Sequence, residues 1–167
     1  MRSHVIVIFL LYVATTVADP TDTAPAISST LPSIATGYSC TCSDPRKIWL
    51  DIVFVLDSTE TMGKGRNSTL KAVKSTLRLL NLDSSSQFYS RAAVIGYADQ
   101  AKVLRDFSNL VTQSDIDSII LPTFTSNKLN ISNAIDVALS IFAKYNETSR
   151  VKTRKVIVLS AASYRYH

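Results

Sequence analysis

The sequence predicts an α/β fold, with a doubly wound and mostly parallel sheet of about four strands that is covered by helices. Three apolar runs, 48–56, 92–97 and 156–159, are typical of strands that are buried on both faces of a parallel sheet. The segments between them place apolar residues at helical spacing. Buried strands that alternate with amphipathic helices favour right-handed crossovers, which produce the doubly wound layout.

The first strand, 48–56, is followed by a predicted amphipathic helix and then by a hairpin. The helix carries basic residues opposite its apolar residues, which are Leu70, Val73, Leu77 and Leu80. The second strand is apolar throughout, whereas segment 101–107 alternates polar and apolar residues, as an edge strand does. The link between these two strands, 98–100, is short enough for a tight turn.

Two more helices are predicted before the last strand. Ser114 is expected to cap a short helix that runs through Leu121. Asp115 and Asp117 would stand in its first turn, where the helix dipole favours carboxylates. Apolar residues at helical spacing mark the third helix: Ile131, Ala134, Ile135, Ala138 and Phe142.

The composition excludes most classes of enzyme. The only histidines are His4, within an apparent export signal, and His167 at the end of the sequence, so the body cannot build a catalytic triad or a His-ligated zinc site. No glycine-rich phosphate loop is present. We therefore expect a non-enzyme. A metal-dependent hydrolase built on Asp57 and Glu60 is an alternative that lacks a histidine or a cysteine nucleophile.

The first residues predict secretion. Residues 1–18 combine a polar start, the apolar run Val5–Val13 and small residues before an expected cleavage after Ala18. That run is too short to span a bilayer, although an N-terminal anchor is the alternative. Residues 19–39 are rich in Ser, Thr and Pro and are expected to form a disordered tail, so that 40–167 form the folded body of an extracellular protein.

The charges and the cysteines limit the partners. A formal net charge of +5 is modest, so no nucleic-acid partner is expected. The densest basic cluster is predicted to be a solvated connector, and it contains Arg150, Lys152, Arg154 and Lys155. Cys40 and Cys42 are too close in sequence to bridge to each other without strain. We expect each to pair with a partner in another chain or outside this sequence, with a strained or reduced pair as the alternative.

Oxygen-bearing side chains follow the first strand at alternating positions. Asp57, Thr59 and Thr61 leave the end of that strand together, and ligands lie at this edge of open α/β sheets. Carboxylate and hydroxyl oxygens suit Mg²⁺ better than a soft or redox metal. The alternative interpretation is that the same side chains cap the following helix.

Several stretches resemble a known family. WLDIVFVLDSTETM resembles the first strand and the metal-site loop of von Willebrand factor type A domains, whose signature is Asp-x-Ser-x-Ser after that strand. Cys40-Thr41-Cys42, YSRAAVIGYAD and KVIVLSAASY resemble the secreted type A domains of nematodes that often stand beside C-type lectin modules. The resemblance covers 40–167, and it implies a Rossmann-like fold and a role in adhesion or protein binding.

The resemblance also implies a metal-ion-dependent adhesion site, which this sequence matches only in part. The matched ligand positions are Asp57, Thr59 and Thr61. Leu129 stands where the family has a threonine, unless a one-residue slip places Asn130 there, and Ala161 stands where it has an aspartate. We therefore predict a degenerate site with weak or absent Mg²⁺ binding, and no other cofactor.

Three sequons predict a glycoprotein, with acceptors at Asn67, Asn130 and Asn146. Sugar on Asn130 would partly cover the predicted metal face. Type A domains usually continue beyond the strand at 156–159, so the resemblance implies a C-terminally incomplete domain. Its sheet would have the order hairpin strand, second strand, first strand, last strand, with 156–159 at an exposed edge. Such an edge favours oligomers between copies of the chain.

The leading hypothesis is a secreted, non-catalytic type A module for interaction or adhesion, with an extracellular protein or glycan as its ligand. The alternative is a truncated, non-binding remnant of a lectin-associated type A protein. Both hypotheses require the first apolar run to be an interior strand with parallel neighbours.

Overall fold

The computed structural model describes residues 46, 48–86, 89–150 and 153–161. The predicted signal, the tail and the two cysteines lie outside the described residues. The main elements are β1 (Leu50–Asp57), α1 (Lys64–Leu79), β2 (Arg91–Tyr97), β3 (Ala101–Arg105), α2 (Gln113–Asp117), α3 (Ile131–Lys144) and β4 (Arg154–Ser160). Two short 3-10 turns, Glu60–Met62 and Thr148–Arg150, complete the set.

The four strands form one sheet in the order β3-β2-β1-β4, as predicted. β1 is an interior strand and runs parallel to both β2 and β4, with Val53 level with Ala93 on one side and with Ile157 on the other. β3 turns back antiparallel on β2. The carboxyl ends of the three parallel strands therefore share one edge of the sheet, and their amino ends share the opposite edge.

Alternation along β1 divides the core into two layers. Ile52, Phe54 and Leu56 pack with buried residues of α1 and α2 on one face. Val53 and Val55 pack with α3 on the other face. Because both faces of β1 are covered, its apolar run has no polar alternation, which is why the sequence identifies this strand so clearly.

The second helix differs from its prediction. α2 begins at Gln113 and ends at Asp117, and its N-cap is Thr112 rather than Ser114. The Thr112 hydroxyl accepts the Asp115 N–H, and the Asp115 carboxylate accepts the Thr112 N–H in return. This reciprocal capping box fixes the start of the helix two residues earlier than expected. Asp117 is the last helical residue, not a first-turn residue, and it pairs with Arg78.

β4 pairs only with β1 among the described strands, so it occupies the predicted edge. Ile157 and Leu159 are nevertheless buried in the layer beneath α3. Val156 and Val158 are half-buried on the opposite face.

A buried ion cluster ties the amino ends of the strands together. Asp51 on β1 is fully buried, and its carboxylate accepts hydrogen bonds from Arg91 and Arg150, each at 2.7 Å. Arg150 is only 3% exposed, and its guanidinium lies over the rings of Tyr89 and Trp49. The prediction of a solvated connector is therefore wrong for Arg150, because this side chain is turned inward to neutralise Asp51.

Candidate functional site

The candidate site is the strand-tip loop, residues 57–63, at the carboxyl end of β1. Asp57, Ser58 and Thr59 are all fully buried. The Ser58 N–H donates to the carbonyl of Tyr97 at 2.8 Å, and the Phe124 N–H donates to the carbonyl of Ser58 at 3.0 Å. The loop is thus clamped between the end of β2 and the segment that leads to α3.

The three predicted ligand side chains are brought into direct contact. The N–H of Thr59 donates to Oδ1 of Asp57 at 2.9 Å, and its hydroxyl donates to the same oxygen at 2.7 Å. Oγ1 of Thr59 lies 3.0 Å from Oγ1 of Thr61. Asp57, Thr59 and Thr61 therefore form a hydrogen-bonded chain that runs from the buried strand end to an exposed threonine.

These side chains do not cap the following helix, which was the alternative interpretation of the sequence. The N-cap of α1 is Gly63, which has no side chain to offer, and Thr59 makes no capping hydrogen bond to its 3-10 turn. Gly63 has a φ of 47°, a conformation that L-residues with a side chain rarely adopt. A glycine at this position lets the chain turn sharply from the loop into α1.

A second glycine keeps the loop close to β2, and sequence reasoning missed its role. A Cβ atom on Gly96 would lie 2.8 Å from Oγ of Ser58 and 3.1 Å from Cδ1 of Leu121. Only a residue without a side chain allows this approach. An isolated glycine within an apolar strand was the available signal, because it indicates a close backbone contact.

The segment that faces the loop supplies no hydroxyl at the expected position. Leu129 is half-buried and packs against the α3 layer of the core. Asn130 is the N-cap of α3, and its side-chain oxygen accepts the Asn133 N–H at 3.0 Å. Ala161 follows β4 directly and carries only a methyl group.

Ser160 is an additional polar residue at this edge that the sequence analysis passed over. Its side chain is buried, and its hydroxyl has no hydrogen-bond partner among the described residues. Ser160 is level with Leu56 in the sheet, so its side chain lies on the face that α1 covers. It therefore does not replace the aspartate that the family has at the position of Ala161. No sequence signal distinguishes this serine from an ordinary strand-end residue.

The remaining predicted site residues are dispersed. Asn67 lies in α1, Asn130 at the start of α3 and Asn146 just after α3, and all three are exposed. In the part of the chain that the structure describes, no three His, Cys, Asp or Glu residues cluster as a metal site would. The electrostatics of the edge therefore depend on single carboxylates such as Asp57 rather than on an acidic cluster.

A profile of the von Willebrand factor type A domain matches residues 51–165, which include the sheet and the strand-tip loop. The chain belongs to the von Willebrand factor type A family. The resemblance inferred from the first strand and its loop is thereby confirmed. Domains of this family mediate interactions between proteins, and as a class they are interaction modules rather than catalysts.

One relative is the C-type lectin domain-containing protein 160 of Caenorhabditis elegans, which is 30% identical over 155 residues. The match covers 87% of this chain but only 24% of that protein. The chain therefore spans about a quarter of the length of this relative.

Among solved structures, two crystal forms of proximal thread matrix protein 1 from the mussel byssus share the fold. One, described with a zinc-occupied metal-ion-dependent adhesion motif, gives a TM-score of 0.52 at 17% identity over 70% of this chain and 29% of that chain. The other gives a TM-score of 0.55 at 13% identity over 71% of this chain and 33% of that chain. Within the described residues of our chain, no helix is both long enough and apolar enough to cross a bilayer.

Proposed function

We propose that this type A domain is a secreted, non-catalytic interaction module whose strand-tip edge binds its partner without a resident magnesium ion. The observation that carries the proposal is the contrast across that edge. The loop carries Asp57 and two threonine hydroxyls, whereas the positions where the family has its two other ligands carry Leu129, which packs into the core, and the methyl of Ala161.

The donors present do not fit a resident magnesium ion. Mg²⁺ demands a near-octahedral set of oxygens and gives up its water reluctantly. Here one carboxylate and two hydroxyls come from a single loop, and Oδ1 of Asp57 already accepts two hydrogen bonds from Thr59. The side-chain oxygen of Asn130 is held by the first turn of α3, so a slip in alignment would not restore the missing ligand.

A non-catalytic role is supported by the chemistry of the same residues. General acid–base catalysis needs titratable groups within reach of one substrate. Asp57 is fully buried, whereas Glu60, the nearest acid along the loop, is exposed. The body of the chain holds no histidine that could relay a proton between them.

The partner would be an extracellular protein or glycan that contacts the rim of the strand-tip edge, which is formed by the exposed residues Glu60, Thr61 and Lys64. These side chains can form direct hydrogen bonds and ion pairs. Secretion is supported by the apolar run and small residues of 1–18, and by the name of the nematode relative. A glycan on Asn130 would stand beside this rim and restrict the direction from which a partner can approach.

Capture experiments with matched threonine variants test the proposal. Immobilised wild-type chain is offered secretions of the source organism with and without EDTA, and the captured protein is then identified and purified for direct titration. Thr61→Arg places bulk on the rim, while Thr76→Arg places the same bulk on the exposed side of α1. We expect Thr61→Arg alone to weaken binding at least tenfold, with no effect of EDTA.

Two results would contradict the proposal. Loss of binding in EDTA would mean that a metal ion takes part. Equal binding by the wild type and the Thr61→Arg variant would mean that the strand-tip edge is not the contact surface.

A further inference from the structure

A cavity of about 250 Å³ opens at the opposite edge of the sheet, beside the amino end of β2. It lies among the start of β2, the segment after β3 and the end of α3. Since β1 has eight residues, the cavity is roughly 20–25 Å from the strand-tip loop. The effect of a ligand or a substitution in this cavity can therefore be distinguished from an effect at the strand-tip loop.

The floor and sides of the cavity are largely apolar. Leu82, Phe107 and Leu110 are buried at its base. The rings of Tyr89 and Tyr145 are half-buried along its sides. Arg150 lies 4.5 Å from the centre of the Tyr89 ring, and Phe107 makes an edge contact with Tyr145 at 5.6 Å. These contacts hold the aromatic walls in place before any ligand binds.

One wall presents a hydrogen-bond donor next to an acceptor. Arg91 uses Nε and Nη2 for Asp51, Nη2 for the carbonyl of Tyr145 and Nη1 for Oε1 of Glu147 at 2.8 Å. A guanidinium has five N–H groups, so one on Nη1 is left over. Oε2 of Glu147 also has no hydrogen-bond partner within the described residues, and this side chain is 52% exposed.

The charges around the cavity balance. Three cations, Arg91, Lys144 and Arg150, stand beside three carboxylates, Asp51, Asp106 and Glu147, and they are joined in close pairs. An ionic ligand would meet no net opposite charge here. A purely apolar ligand would cover the spare N–H of Arg91 and the spare oxygen of Glu147 without replacing their hydrogen bonds to water, which is costly.

We propose that this cavity binds one neutral pyranose residue of a glycan. Adjacent sugar hydroxyls would accept the spare Nη1–H of Arg91 and donate to Oε2 of Glu147. The C–H face of the ring would lie on the aromatic walls. The volume is below the range of pockets for drug-sized ligands, which fits a single ring.

Ligand-observed NMR and calorimetry on the full chain test this site. The probes are methyl glycosides of neutral hexoses and N-acetylhexosamines, with glucuronate, glucosamine and indole as anionic, cationic and apolar comparisons. We expect a neutral sugar to bind with a dissociation constant on the order of 1–10 mM, as for other ligands of this size. Glu147→Ala should weaken that binding at least fivefold, and Tyr89→Ala should weaken it similarly.

Asp136→Ala is the matched control, because it removes an exposed carboxylate of α3 that does not line the cavity and should leave sugar binding unchanged. Thermal unfolding of each variant shows whether a loss of binding reflects a loss of fold, and the exposed Glu147 keeps the test interpretable if Tyr89→Ala unfolds. No binding of any neutral sugar, a preference for a charged probe or for indole, or an equal loss in Asp136→Ala would each overturn the proposal. None of these results bears on the strand-tip edge.

Discussion

β1 buries one aspartate near each of its ends, and the two are held in different ways. Asp51 and Asp57 are both fully buried on the same strand. Asp51 is neutralised by two guanidinium groups, whereas Asp57 accepts an N–H and a hydroxyl from Thr59. The same side chain on the same strand is therefore part of an ion cluster at one edge and of a hydroxyl chain at the other.

This difference indicates what each edge contributes. A buried ion cluster is destabilised strongly when one member is removed, because the remaining charges stay buried without a partner. The hydrogen bonds from Thr59 to Asp57 fix the geometry of the strand-tip loop. The amino edge thus joins β1, β2 and the turn before β4 through charged groups, whereas neutral donors hold Asp57 at the carboxyl edge.

The largest effect is expected from Asp51→Ala. Arg91 and Arg150 would remain buried without their shared carboxylate, so the free energy of unfolding should fall by about 3–5 kcal/mol. Urea unfolding measures this change. Asp117→Ala is the control, because it breaks the exposed ion pair with Arg78 and should cost about 1 kcal/mol or less. A loss no greater than that of the control would refute the role given to the cluster.

Asp57→Ala should cost less than Asp51→Ala. It leaves the N–H and the hydroxyl of Thr59 without their acceptor in a buried place, which corresponds to about 1–3 kcal/mol. The same urea experiment provides the comparison. If Asp57→Ala proved the more destabilising of the two, the contrast between the edges would be reversed.

Gly96→Ala tests the close approach of the strand-tip loop to β2. The added methyl would press on Ser58 and Leu121, with an expected loss of about 1–2 kcal/mol in stability. In a Ser58→Ala background the closer of the two contacts is removed, so the same substitution should cost less. Additive losses in this double-mutant cycle would show that Ser58 is not the obstacle.

A smaller, pH-dependent effect is expected beside the amino edge. Burial raises the pKa of Asp106, but hydrogen bonds from Tyr145 and Ser108 outweigh this and hold the pKa well below its usual range. A carboxyl with a lowered pKa in the folded state stabilises the protein above its unfolded pKa, and this stability is lost as the pH falls below about 4.

Tyr145→Phe should therefore reduce stability by about 1 kcal/mol at pH 7 and by less at pH 3, as measured by urea unfolding at the two pH values. Tyr89→Phe is the control, since the Tyr89 hydroxyl makes no hydrogen bond within the described part of the chain. A difference between wild type and Tyr145→Phe that stayed constant with pH would exclude Asp106 as the source.

Local sequence patterns predicted much of this fold, but they did not predict the buried ion cluster of Asp51, Arg91 and Arg150. The continuous apolar run identified β1, because a strand buried on both faces leaves a clear signal, and the order of the strands came from the family resemblance. Arg150 and Asp51 are 99 positions apart, and no local pattern predicts that they meet. A basic residue in a cluster of basic residues instead suggests solvent, which is why Arg150 was misplaced.

The sequence predicted which side chains of the strand-tip loop lie together, but it did not predict where the neighbouring residues Leu129 and Asn130 lie. The alternation of Asp57, Thr59 and Thr61 indicated that these side chains lie together, and they do. The cap position of Asn130 and the core contact of Leu129 depend on where α3 begins, and helix boundaries are poorly fixed by sequence.

Calorimetric titration of the folded chain with Mg²⁺ tests the central claim most directly. We predict no sub-millimolar binding by the wild type, and we predict that Leu129→Thr combined with Ala161→Asp creates such binding by supplying the two missing ligand side chains. Sub-millimolar binding by the wild type that Asp57→Ala abolishes would contradict this claim.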